Sequence, residues 1–70
     1  MSELDTEIII ALAENNMKIS AAARSLFMHR NTAVYHIERV KKITGLDPTN
    51  FYHLCKLVQM VRERRADDGQ

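Results

Sequence analysis

Arg30 and Asn31, followed about one helical turn later by Val34 and Tyr35, are side chains that can read the edges of base pairs. An arginine forks onto guanine O6 and N7, and an asparagine pairs with adenine N6 and N7. Val34 suits a thymine methyl, and Tyr35 can stack on a sugar or donate to a phosphate. His29, Thr32, Arg39 and Lys42 suit phosphate contacts, which hold a protein in place without reading sequence. Ser20 and the backbone amides after it offer a further phosphate site if they open a helix. Plainer roles compete for the same residues. The run 30–32 can be a capped helix start and no more, with Asn31 or His29 as the cap, and Tyr35 can be a half-buried aromatic packed on a neighbouring helix.

Other chemistries find little support. His29 and His36 have no cysteine or carboxylate at metal-ligand spacing. Paired carboxylates, a nucleophile with its base and a glycine loop for phosphates are all missing from the sequence, and 70 residues are few for a closed pocket. No catalytic residue, metal or cofactor is therefore expected. The single cysteine, Cys55, rules out an internal disulfide and falls on an apolar stripe, which predicts an inert core residue.

Charge is unevenly placed along the chain. Residues 1–16 carry Glu3, Asp5, Glu7 and Glu14 with no Lys or Arg, whereas residues 17–46 carry six bases against Glu38 alone. A basic middle suits a polyanion-binding face, although a solvated charged face would look the same. The 46% apolar content fits a packed globule rather than a disordered tail. Nothing resembles a signal peptide or a bilayer span, so a soluble, cytoplasmic protein without membrane contact is expected.

The elements that must position these residues are helices, since only two glycines and one proline interrupt the chain. An all-α fold is predicted, a small bundle of about four helices. The first spans residues 4–15, with Leu4, Ile8, Ala11 and Leu12 inward and Asn15-Asn16 as the stop. Ser20 is expected to cap a short second helix through Phe27, with Ala22, Ala23 and Leu26 inward. A break at 28–30 leads to a third helix over 31–44, burying Ala33, Ile37, Val40 and Thr44 and closed by Gly45. Asp47 and Pro48 then read as cap and first residue of a fourth helix running to Arg65. Its stripe is Phe51, Leu54, Cys55, Val58 and Val61. Residues 1–70 thus form one domain, with a core over about 4–65 and a frayed tail at 66–70.

Segment 20–45, SAAARSLFMHRNTAVYHIERVKKITG, has the layout of a helix-turn-helix, in which one helix braces a second in the major groove. Projection at about 100° per residue puts Asn31, Tyr35, Glu38 and Lys42 opposite the buried positions of the third helix, flanked by Thr32, Val34 and Arg39. Its first turn is the part that reaches base edges.

The sequence resembles the C-terminal helix-turn-helix domain of PucR-type (CdaR-like) transcriptional regulators over roughly residues 11–61. The likeness rests on Glu14-Asn15-Asn16, on Ser20-Ala21-x-Ala23-Arg24-x-Leu26, on His29-Arg30-Asn31-Thr32, on Tyr35, and on Ile43-Thr44-Gly45-Leu46-Asp47. The Arg-Asn-Thr start is also similar to that of the nucleoid protein Fis. The resemblance implies a DNA-binding output module, usually appended to a larger sensory region, acting as a dimer and controlling catabolic or metabolic genes. By position it makes Arg30, Asn31, Thr32 and Tyr35 the DNA-facing residues. Val34 and His36 stand where the family commonly has Arg, Glu38 where it has a basic or neutral residue, and Ala33 where it has a larger aliphatic. These departures predict weaker nonspecific binding, with log K against log salt sloping by roughly −3 to −4 per monomer.

The leading expectation is sequence-specific binding of double-stranded DNA in a bacterial transcription regulator. The alternative is a protein-interaction or dimerisation module of the same fold with weak or no DNA binding. Residues 51–61 are the candidate homodimer surface, with Leu57 and Met60 adding apolar area beside the stripe. That surface can equally pack on the domain itself or on a missing N-terminal sensory region, which would make this chain a C-terminal piece.

Overall fold

Ser2 and Asp5 start the first helix. The Asp5 amide donates to Ser2 Oγ at 3.2 Å and the Ser2 amide donates back to Asp5 Oδ2 at 3.0 Å, a reciprocal capping box. A computed structural model describes residues 1–68, with side chains through residue 64. It contains α1 (Glu3–Glu14), α2 (Ile19–Ser25), α3 (Arg30–Thr44) and α4 (Phe51–Asp68), and no strand among the described residues. The all-α bundle of four helices is as the sequence predicts.

α1 ends where the asparagines begin. Asn15 Nδ2 donates to the Ala11 carbonyl at 2.8 Å, and Asn16 and Met17 both take left-handed backbone angles that turn the chain sharply. Half-burial of Met17 against the core accounts for a conformation that a methionine otherwise avoids. α1 is central, because α2, α3 and α4 each pack on it. It supplies Ile8, Ile9 and Leu12, all fully buried, whereas Leu4, expected on the buried stripe, is 45% exposed. The position inside is taken by Asp5, one turn before Ile8 and Ile9.

α2 is shifted two residues toward the N-terminus from the expected position. Lys18 occupies its N-cap without a side-chain bond, so Ser20 lies in the first turn and caps nothing. The helix stops at Ser25, and Phe27 sits in the turn with φ of 56° and 98% exposure, not in the helix. Ala22 and Ala23 are buried, small enough to let α1 and α3 approach.

α3 begins one residue early, at Arg30, and buries Ala33, Ile37 and Val40 as predicted. Thr44 is half-buried and spends its hydroxyl locally, donating to the Val40 carbonyl at 2.7 Å. Gly45 closes the helix at φ 75°, and no atom lies within 4 Å of where its Cβ would be. Gly45→Ala therefore meets only backbone strain, and a loss of about 1 kcal/mol is expected in urea unfolding.

α4 departs most from expectation. Asp47 Oδ1 accepts from the Thr49 amide and hydroxyl, at 2.9 and 2.7 Å, so Asp47 and Pro48 form a turn rather than a cap. Asn50 does the capping, accepting from the His53 amide at 3.1 Å. The inward stripe is Leu54, Leu57 and Val61, with Val58 beside it. Phe51 is 60% exposed and Cys55 is exposed, so neither is a core residue, while Leu57, expected as added surface, is fully buried. The backbone stays helical to Asp68, beyond the expected end at Arg65 and through three positions of the expected frayed tail, since no glycine or proline intervenes before Gly69. Residues 69–70 of that tail lie outside the described residues. Among the described residues α4 approaches α1 alone.

Candidate nucleic-acid interface

α2, the left-handed turn at Phe27 and α3 form the bracing helix, turn and presented helix of a helix-turn-helix. His29 is the N-cap of α3 by its extended backbone, yet its side chain makes no capping bond. Asn31 is the second helical residue and cannot be the cap. The run 30–32 opens the helix without a side-chain cap: Arg30, Asn31 and Thr32 are all exposed, and no hydrogen bond or ion pair with a described residue occupies their side chains. At the start of α3 the amides of Thr32 and Ala33 both donate to the His29 carbonyl, at 3.0 and 3.1 Å.

One turn further on, Val34 is half-buried and Tyr35 is 62% exposed, so Tyr35 is not the packed aromatic of the alternative reading. Tyr35, Glu38, Arg39, Lys41 and Lys42 line a shallow groove of about 520 Å³ on the outer side of α3. Glu38, the acid that weakens the basic face, lies 3.8 Å from Lys41 Nζ in an exposed pair worth little. Lys42 is exposed and outside any ion pair among the described residues. Ser20, His29 and Thr32 are also exposed, Ser20 on α2 and the other two at the start of α3.

Two residues on the flank of α3 behave differently. His36 is 8% exposed and Asp5, across the interface on α1, is fully buried. His36 Nδ1 donates to Asp5 Oδ1 at 2.8 Å, and Arg39 Nε donates to Asp5 Oδ2 at 2.9 Å. Burial alone would raise the Asp5 carboxyl. Hydrogen bonds from His36, the Ser2 amide, Arg39 and the Ser2 hydroxyl outweigh that and bring it down to about 2. The same pairing raises the Arg39 guanidinium. Arg39, expected as a free phosphate anchor, is therefore tied at one edge, although 44% of its side chain remains exposed. Asp5 was legible only as an acid in a first turn.

Acid should release this network. The unfolded chain holds the Asp5 proton with a pKa near 3.8 and the folded chain with one near 2. The stabilisation is complete above pH 3.8 and lost as pH falls toward 2, about 2 kcal/mol in all. Thermal melting of Asp5→Asn beside the parent over that range should show the difference between them shrinking as acid is added.

A family model, the PucR C-terminal helix-turn-helix domain, matches residues 6–62. The chain is 40% identical over 43 residues to the carbohydrate diacid regulator of Escherichia coli (strain K12), covering 61% of this chain and 11% of that protein. It is also 40% identical over 43 residues to the proline-responsive transcriptional activator PutR of Bacillus subtilis (strain 168), covering 61% of this chain and 10% of that protein. The matched segment thus spans about a tenth of the length of these curated relatives. No solved structure matches the chain.

Proposed function

The chain belongs to the PucR C-terminal helix-turn-helix family, and from that premise we propose that it binds double-stranded DNA sequence-specifically, with α3 in the major groove. The observation that carries this reading is the exposed first turn of α3, where Arg30, Asn31 and Thr32 stand uncommitted beside Val34 and Tyr35. Polar side chains left without partners at the start of a braced helix are what base-edge contacts require. Arg30, Asn31, Val34 and Tyr35 read bases in this proposal, and Ser20, His29, Thr32, Arg39 and Lys42 hold phosphates. No helix among the described residues is long and apolar enough to cross a membrane.

Both relatives are named as regulators, which supports placing this domain as the output module of a bacterial transcription regulator behind a sensory region. One recognition helix reads only a few base pairs, so two copies on half-sites roughly 34 Å apart complete the reading. Burial of Leu57 removes it from the pairing surface. The apolar side chains left exposed on α4 are Phe51, Tyr52, Cys55 and Met60, with Val58 half-buried; Met60 stands about 180° round the helix from Phe51.

The test is selection from a random duplex library with the parent protein and Arg30→Ala in parallel. A motif enriched by the parent and lost with the variant is the expected result. Enrichment by neither, with a homodimer or a protein partner held through residues 51–61, would replace this reading with that of an interaction module.

A further inference from the structure

The acid on α1 makes no contact with solvent, yet it grips the outward-facing helix at two points. Asp5 Oδ1 takes His36 Nδ1, and Oδ2 takes both Arg39 Nε and the Ser2 amide. With both oxygens occupied from three directions, the carboxylate has no freedom to rotate. It engages Arg39 through Nε, and the Tyr35 side chain alongside also favours the charged guanidinium, while the terminal nitrogens meet no second carboxylate among the described residues. Arg39 lines the outer groove of α3 together with Tyr35, Lys41 and Lys42. A flexible side chain is thereby held at its stem with its donor fork open toward a basic, solvent-facing groove.

We propose that Asp5 is a positioning residue for DNA binding: from α1 it fixes Arg39 so that the free edge of the guanidinium meets a backbone phosphate. The proposal rests on the DNA-binding reading above and adds to it a residue that cannot itself reach the ligand. The charge of Asp5 works against a polyanion, but that repulsion is screened over a Debye length of about 8 Å at physiological salt. An arginine released from its hold must instead be ordered on each binding event, a loss of roughly two- to tenfold. Positioning outweighs repulsion at that salt. His36 serves the same end by occupying Oδ1, so that Arg39 has only one oxygen to bind.

A double-mutant cycle tests this on a labelled mixed-sequence duplex, since phosphate contacts do not depend on sequence. Arg39→Ala should weaken binding and flatten the salt slope by about 0.9. Asp5→Asn should weaken binding roughly two- to tenfold and leave the slope unchanged, because the phosphate contact persists but is no longer prepared. In the Arg39→Ala background Asp5→Asn should cost nothing further. An equal loss in both backgrounds would mean that Asp5 only supports the fold and would overturn the proposal, as would no loss in the parent. Duplex binding by the parent with a slope insensitive to Arg39→Ala would overturn it while leaving the DNA-binding reading intact. If the parent shows no salt-dependent duplex binding, both fall together. Should Asp5→Asn not fold, Arg39→Lys carries the test: the point charge keeps the slope but cannot hold Asp5 at one edge and offer a fork at the other. A loss of roughly two- to tenfold is expected there, and unchanged affinity would sink the proposal.

Discussion

Arg30→Ala is expected to weaken binding to the selected duplex by about 1–3 kcal/mol, roughly fivefold to more than a hundredfold, and to relax base preference at one position. The size follows from what the residue is free to do. Arg30 is exposed at the first position of α3, and no ion pair among the described residues competes for it. Its removal leaves the fold untouched, since Ala33, Ile37 and Val40 carry the helix into the core. Melting should therefore be unaltered while titration of the labelled site shows the loss. Lys42→Ala should behave differently, weakening all duplexes alike and lowering the salt slope by about 1. Equal losses on selected and unrelated duplexes for Arg30→Ala would show it to be a phosphate contact rather than a reader.

The second large effect is on stability. Leu12→Ala should cost about 2–5 kcal/mol, the range for a leucine truncated where the surroundings cannot close in. Leu12 is fully buried near the end of α1, the helix on which the other three all pack. A domain of 70 residues has roughly 4–10 kcal/mol in total, so this substitution alone removes a large share of it. Chemical unfolding followed by circular dichroism should show a markedly lower midpoint, or a chain already unfolded in buffer. Cys55→Ala on the exposed side of α4 is the matching control, because that side chain lies outside the core.

Much of this arrangement was legible from residue spacing, and the exceptions have physical causes. The face of α3 was readable because Ala33, Ile37 and Val40 recur at helical intervals and Gly45 marks the end. On α4 the pattern places Leu54, Val58 and Val61 inward as found, but also Phe51 and Cys55, which are exposed. The α4 sequence carries two overlapping apolar stripes, one through Phe51 and Cys55 and one through Leu54, Leu57 and Val61, and only docking on α1 chooses between them. Ser20 has the chemistry of a cap, but the left-handed pair Asn16 and Met17 delivers the chain to the helix at Lys18 instead. The Asp5 network was missed although half its signal was present. Ser2-x-x-Asp5 is a capping-box spacing, and Asp5 lies one turn before the buried Ile8 and Ile9. What no local pattern reveals is a partner 31 residues away on another helix, which is how far His36 stands from Asp5.

The lone attachment of α4 to α1 sets how the molecule comes apart. No backbone approach among α1, α2 and α3 has to break when α4 leaves, whereas α1 cannot move without disturbing all of them. The bundle thus has two parts of unequal attachment: three helices that each pack on the other two, and α4 held through the seam of Leu54, Leu57 and Val61. Opening of that seam exposes apolar surface of α1 and α4 and leaves in place the packing of α3, the helix that faces solvent with Arg30 and Asn31, on α1 and α2.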